Sequence, residues 1–365
     1  MCLKRFFAGM AAALLAAVLL SNQKVCAVSA SNAIVVDGAT GRVLYEKAAD
    51  KQVLIASTTK IMTALLVCEQ CNVLDRVSIP KEAVGIEGSS MYLREGEILT
   101  VQDLLYGLML HSGNDAAVAL AIYCGGTVEG FAEMMNDKAR ALDMNNTHFV
   151  NPNGLDAPGH YSTARDMAKL AAYAMENPIF YQTVSTKNVK VGSRSLSNHN
   201  KLLWRVEGAD GVKTGFTKAS GRILVSSATR QGRRIIVVTM NDPNDWRDHE
   251  TLLENGFARF FVKELVSAGE VLGYAEVAGG QAGKVALVAE KGFSLAVTAD
   301  EKPELVLPSP GFVYAPVAQG QQAGYAHILL DGAPVGKLPV IYGNTVEMEI
   351  EEKPSLIDRL KTLFA

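Results

Sequence analysis

Ser57-Thr58-Thr59-Lys60-Ile61-Met62-Thr63-Ala64-Leu65-Leu66-Val67-Cys68 is the stretch on which the reading of this chain turns. From Thr58 to Cys68 it is apolar nearly all round, the pattern of a helix buried at the centre of a domain. Ser57 and Lys60 open that helix three positions apart, which sets their side chains on one face, one turn from each other. A serine hydroxyl is a poor nucleophile until a base takes its proton. A lysine serves as that base only when burial or a neighbouring cation depresses its pKa, and the apolar run supplies the burial. Backbone N–H groups at a helix start also help to hold a developing oxyanion. A Ser-x-x-Lys spacing is short enough to arise by chance, so its meaning rests on what surrounds it.

At 365 residues the chain is long enough for two domains. Hydrophobic residues make up 48% and charged residues 20%, an ordinary globular composition without the polar bias of a disordered chain. The formal net charge of -3 leaves no basic footprint for nucleic acid. Near the start, Lys4 and Arg5 precede an apolar run from Phe6 to Leu20, followed by a polar stretch and small residues at Ala27 and Ala30. This is the pattern of a signal peptide over residues 1–30, with cleavage after Ala27 or after Ala30. The apolar core is shorter than the roughly 20 residues of a spanning helix, which favours a removed leader over an anchor. The mature chain is therefore expected outside the cytoplasm. Cys2 and Cys26 fall in the leader, leaving Cys68, Cys71 and Cys124, an odd number that cannot all pair. Cys68-Glu69-Gln70-Cys71 has thioredoxin-like spacing but ends a helical run instead of following a strand, so structural thiols are expected.

Outward from the buried helix, Ala33 to Lys47 reads as a hairpin, two apolar runs flanking Asp37-Gly38-Ala39-Thr40-Gly41. Val101 to Leu110 and Ala116 to Ile122 read as helices broken by His111-Ser112-Gly113-Asn114, and Gly211 to Thr217, Arg222 to Ala228 and Arg234 to Met240 as consecutive antiparallel strands. Strands at both ends with helices between them predict one α/β (α+β) domain over 31–255. From about Val262 short alternating runs separated by Gly, Pro and Asp-Gly predict a small all-β domain over 262–350. Residues 355–365 place Leu356, Ile357, Leu360, Leu363 and Phe364 on one helical face and Arg359 and Lys361 on the other. Such a helix would either lie on a membrane surface or pack as a terminal helix.

Two further elements follow Ser57-x-x-Lys60 in order: Ser112-Gly113-Asn114 in a helix-to-helix loop, and Lys213-Thr214-Gly215 opening an apolar strand. Ser-x-x-Lys, Ser-Asp-Asn and Lys-Thr-Gly are the signatures of class A β-lactamases and penicillin-binding proteins. With Gly113 in the middle triplet, and with Gly88-Ser89-Ser90-Met91-Tyr92-Leu93, Thr147-His148-Phe149-Val150-Asn151-Pro152-Asn153-Gly154-Leu155 and Tyr161-Ser162-Thr163-Ala164-Arg165-Asp166, the chain resembles the low-molecular-mass serine D-Ala-D-Ala carboxypeptidases. The resemblance covers almost the whole mature chain. It implies a serine DD-peptidase/β-lactamase-like fold followed by the β-rich domain, and removal of the terminal D-Ala from peptidoglycan stem peptides through an acyl-enzyme on Ser57.

Carried over residue by residue, the resemblance makes Ser57 the nucleophile, Lys60 its proton acceptor, and Ser112 and Asn114 a hydrogen-bonding bridge to the leaving group and peptide. Lys213, Thr214 and Gly215 would face the substrate carboxylate, and the backbone N–H groups of Ser57 and Phe216 would form the oxyanion hole. Phe216 stands where a histidine is often found. Lys60 and Lys213, if close, would lower each other's pKa. β-Lactams are the expected inhibitors. No cofactor and no metal are implied, and His111, His160, His199 and His249 show no metal-ligand spacing. His148 invites a triad reading, but Lys60 already fills the base role. Arg247, near a strand end where the family uses an arginine, is left outside the site because the local match is poor. A class A-like β-lactamase would need a glutamate to activate the deacylating water, and none lies between Thr147 and Leu170. A DD-endopeptidase stays open as a variant of the same chemistry. A non-catalytic wall-binding or penicillin-sensing protein has no need for all five of Ser57, Lys60, Ser112, Asn114 and Lys213.

Overall fold

The computed structural model describes residues 28–307 and 311–350. Nearly all of the leader and the whole 355–365 segment lie outside the described residues. The chain divides into two compact units between Phe257 and Ala258.

The first unit is built on five antiparallel strands: β1 (Asn32–Asp37), β2 (Val43–Lys47), β3 (Ala209–Thr217), β4 (Gly221–Arg230) and β5 (Arg233–Met240). Their order is β2-β1-β5-β4-β3, so the two chain-terminal pieces of the domain meet at the centre and β3 forms an edge. Every residue of β1 is buried. Ile34 and Val36 pack into the large helical core, and Ala33 and Val35 into a smaller core on the opposite face with Leu252 and Leu253. A sheet covered on both sides explains why Ala33-Ile34-Val35-Val36 is continuously apolar instead of alternating.

Helices α1 (Lys60–Gln70), α2 (Val101–Leu110), α3 (Asn114–Gly125), α4 (Val128–Ala141), α5 (Ala164–Ala174) and α6 (Pro178–Ser185) lie between β2 and β3, and α7 (Asp245–Arg259) follows β5. Lys60 to Cys68 of α1 are all buried, as the apolar run predicts. Ser57 itself is not in the α-helix: Ala56–Thr59 form a 3-10 turn, and the α-helix begins at Lys60. α2 starts on a reciprocal cap, the Thr100 and Asp103 side chains bonding each other's backbone N–H. α3 begins at Asn114, two residues before the expected helix, and ends at Gly125. α4, α6 and α7 are not among the elements read from the sequence. α7 buries Asp245, Asp248 and His249 beside Leu252 and Leu253, so polar residues interrupt its apolar period, and it carries the first unit's last helix beyond residue 255.

Beyond the end of α7 at Arg259, the regular elements of the second unit's described residues are all strands. Phe261–Val266 pairs with Phe293–Val297, and six further strands form a sheet around a core that includes Val285, Leu287, Ile328, Leu338 and Val340. Among the described residues no helix is long and apolar enough to cross a membrane.

Candidate active site

The turn that carries Ser57 is fixed from several sides. Ala56 adopts φ +45°, in the left-handed region, which aims the next residue out of the helix path. Thr58 Oγ1 donates to Ile55 O at 2.5 Å, and Thr63 Oγ1 to Pro152 O at 2.6 Å. His160 Nδ1 accepts from Val150 N–H at 3.0 Å, so its Nε2 carries the hydrogen and donates to Thr59 Oγ1 at 2.8 Å. Two glycines let backbone approach this turn. A Cβ on Gly154 (φ +84°) would stand 1.9 Å from Ala56 O, and one on Gly215 would stand 3.2 Å from Thr58 N and 3.3 Å from Ile55 O. The third triplet can therefore lie directly against the turn of the first.

Lys60 is fully buried. Its Nζ lies 3.0 Å from Ser57 Oγ, 2.6 Å from Asn114 Oδ1 and 2.5 Å from Asn153 O. Burial, then the charge of Lys213, holds its pKa well below the ordinary lysine value, against an opposing pull from Asp115. A neutral amine has two N–H groups and one lone pair. With Asn114 Oδ1 and Asn153 O accepting the two hydrogens, the lone pair is left to face the Ser57 hydroxyl.

Ser112 adopts φ +62° in the bend between α2 and α3. Lys213 Nζ donates to Ser112 Oγ at 3.0 Å and to Thr214 O at 2.8 Å. Burial pushes Lys213 down to about 7. The expected mutual effect is thus visible on one side, with Lys213 depressing Lys60 while Lys213 responds to burial. Asn114 is buried, and both ends of its amide are engaged: Oδ1 by Lys60, Nδ2 as donor to Glu87 O at 2.5 Å. Asn114 thus holds the lysine, and these two bonds use only one of its two Nδ2 hydrogens, which leaves the other for the expected bridge with Ser112 to substrate.

These groups meet an open cleft of ≈ 540 Å³. Ser57, Ser112, Thr214, Gly215 and Phe216 line it; Lys60, Asn114 and Lys213 stand behind that lining. Phe216 projects its ring into solvent, 65% exposed. The cleft runs along β3, whose outer edge is unpaired in the sheet. Several contributors were not read from sequence. Ser89, Asn198 and His199 line the cleft, and the His199 ring lies 5.1 Å from that of His111. Arg222, at the start of β4, lines its far end with Asp245 and Trp246; its Nη2 donates to both Asp245 carboxylate oxygens, and its guanidinium lies over Trp246. The arginine of this site is thus Arg222. Arg247, also left outside the site, does not line the cleft. Buried Asp115 accepts from Met91 N, Leu93 N and Ser90 Oγ, which shapes the loop that presents Ser89.

His148 is held by its own loop, Nδ1 against Gly159 O and the backbone paired with Tyr161. Among the described residues no cluster of His, Cys, Asp or Glu could hold a metal ion. A serine hydroxyl 3.0 Å from the Nζ of a buried lysine, beside a second lysine and an unpaired strand edge, has the geometry that acyl transfer from an extended peptide to serine requires.

Comparison with known proteins narrows that class. Residues 19–244 match the family model described as D-alanyl-D-alanine carboxypeptidase, and residues 260–348 match that of the penicillin-binding protein 5 C-terminal domain. The chain is 34% identical over 334 residues to D-alanyl-D-alanine carboxypeptidase DacC of Escherichia coli, covering 86% of this chain and 83% of that one. It is 31% identical over 329 residues to DacF of Bacillus subtilis, covering 85% and 84%. Among solved structures, penicillin-binding protein 5 from Haemophilus influenzae aligns with a TM-score of 0.79 at 31% identity, covering 88% of this chain and 98% of that one. The chain belongs to the S11 peptidase family, the serine D-alanyl-D-alanine carboxypeptidases.

Proposed function

We propose that this enzyme removes the terminal D-Ala from peptidoglycan stem peptides outside the cytoplasmic membrane, through an acyl-enzyme on Ser57, and that penicillins acylate the same oxygen. The observation that carries the reading is Lys60: fully buried, its Nζ 3.0 Å from Ser57 Oγ, with acceptors for its two other valences. The substrate lies along the free edge of β3 as an added strand. Ser57 Oγ attacks the carbonyl carbon of the penultimate D-Ala as its proton passes to Lys60. The resulting oxyanion sits between the backbone N–H groups of Ser57 and Phe216. Ser112, backed by Lys213, relays a proton to the departing D-Ala nitrogen. Lys213 and Thr214 attract the terminal carboxylate, and Asn114 acts as a positioning residue for Lys60. Water then hydrolyses the ester. No cofactor takes part.

The loop through Asn153 supports a peptidase over a β-lactamase: it offers Lys60 a backbone carbonyl, and there is no glutamate from Thr147 to Leu170 to activate a deacylating water. Penicillins should therefore remain attached as slowly released acyl groups. Incubation with a diacyl-Lys-D-Ala-D-Ala peptide should release D-alanine, and a fluorescent penicillin should label the protein. Both must vanish in Ser57→Ala. Absent D-alanine release, or label that survives in that variant, would sink the proposal. Adding a cross-linked dimeric peptide to the assay measures endopeptidase action on the same site.

Export is part of the reading, with the leader removed after Ala27. Val28 and Ala30 are buried in the smaller core, Lys47 Nζ donates to the carbonyls of both, and Ser29 N and Oγ donate to Asp248. Cutting after Ala30 would discard these contacts. The intact mass of the mature protein should place Val28 first; a start at Ser31 contradicts this.

A further inference from the structure

The far end of the cleft holds a cation that the acyl-transfer steps do not use. Arg222 opens β4 and pairs across the sheet with Phe216, while Lys213 pairs with Val225. β3 therefore runs past the site from Lys213, at the terminal carboxylate, through Phe216, whose N–H meets the scissile carbonyl oxygen, to Thr217 opposite Gly221. Stem-peptide residues that precede the scissile bond continue in the same direction. Arg222 thus stands on the acyl side of that bond, roughly 10 Å along the strand from Lys213.

The guanidinium is anchored toward the same end. β5 finishes at Met240, opposite Ile223, and the chain turns back through Asp242, whose N–H donates to Arg222 O at 3.0 Å, before α7 begins at Asp245. Arg222 Nη2 donates to both Asp245 oxygens, at 2.9 and 2.8 Å, and the guanidinium carbon lies 5.8 Å from the centre of the Trp246 ring. Asp245 is buried and also accepts from Trp246 N–H at 2.9 Å, so its charge is shared with the start of α7. Among the described residues Nε and Nη1 of Arg222 make no hydrogen bond, which leaves donors for a ligand on a guanidinium already held in place. Lys201 is a second cation on the cleft lining, and Asp245 its one carboxylate. Phe216, the cross-strand partner of Arg222, shares its face of the sheet and adds an exposed apolar ring beside it.

We propose, on the carboxypeptidase reading above, that Arg222 receives the side-chain carboxylate of an acidic third residue in the stem peptide, a diamino diacid whose methylene stem crosses the Phe216 ring. The penultimate D-Ala carries no charge, so the residue before it is the first on the acyl side that can offer Arg222 an anion. A third residue ending in an ammonium alone would set like charges together. Arg222 is in this way a specificity residue for the acyl donor, separate from the lysine and threonine that take the terminal carboxylate.

The test follows D-alanine release by the mature protein from acetyl-diaminopimelyl-D-Ala-D-Ala and from the same peptide with its side-chain carboxylate amidated. kcat/KM should be about tenfold higher for the acid, through KM, and the ratio should shrink as sodium chloride rises toward about 1 M, where charges are screened within about 3 Å. In Arg222→Gln the ratio should fall to about one, and Arg222→Lys should restore part of it. Equal kcat/KM for the two peptides in the parent, a ratio that ignores salt, or one that survives in Arg222→Gln overturns the proposal and leaves the carboxypeptidase reading standing. D-alanine released from neither peptide overturns both. The parent's ratio and its salt dependence need no variant, so poor folding of Arg222→Gln would not remove the test.

Discussion

At Lys60 the protein buries an amine with a hydroxyl, an amide oxygen and a backbone carbonyl around its Nζ. That setting disfavours the charged form, and the neighbouring Lys213 charge disfavours it further. Replacing Lys213 by Gln removes this charge, so the Lys60 pKa rises and its base form is lost at a higher pH. The acidic limb of the penicillin-acylation pH profile should move upward, and an unmoved limb would separate the two lysines. Asn114→Ala should slow acylation by about 10²-fold, because the amine loses one of the acceptors that turn its lone pair toward Ser57. Stopped-flow labelling at fixed pH measures it; acylation within twofold of the parent would make Asn114 a packing residue. Ser57, Lys60, Ser112 and Lys213 were legible in the sequence through the resemblance of three ordered triplets to family motifs. The part played by Asn153 was not, because it acts through a carbonyl whose direction is set by the backbone of its loop and not by its side chain.

Among the elements, the turn at Ala56–Thr59 is the one on which the others converge. The apolar run announced a buried helix, yet the first turn is 3-10, because Ala56 at positive φ and the nearby Gly154 and Gly215 set the entry of the chain. Gly154→Ala should be among the more damaging single changes. Its methyl would have to occupy the space of Ala56 O, at a φ that L-residues rarely adopt, costing at least about 2 kcal/mol. Urea unfolding of the variant checks this, and a midpoint equal to the parent's would show that the two loops separate freely. Strand β3 was readable as a strand. That its outer side is an open edge was not, since edge or centre depends on which strands pair in space.

On the scale of the whole molecule, the first unit keeps buried histidines neutral. His160 is pushed down to about 4 by burial and by His148, and His249, between Ser226 Oγ and Thr239 Oγ1, to about 3 by burial. The unfolded chain binds these protons near the ordinary 6.5. The stability they protect is therefore complete above that pH and lost as pH falls toward 4 and then 3. At pH 5 each should cost about 2 kcal/mol relative to neutrality. Urea midpoints at pH 7.5 and pH 5 measure the loss, and equal midpoints would remove the histidines from the account. The sequence by itself determined the Ser57–Lys60 pair, the order of the three triplets, the central hairpin and strands, and the change to an all-β second unit. Those are local facts, carried by residue type, spacing and apolar period. Only the tertiary structure decided that Arg222 and not Arg247 faces the cleft, that Asn114 serves the lysine, and that Val28 to Ala30 belong to the folded domain. Each depends on two segments distant in the chain arriving at one place, which packing of the cores fixes and no local pattern encodes.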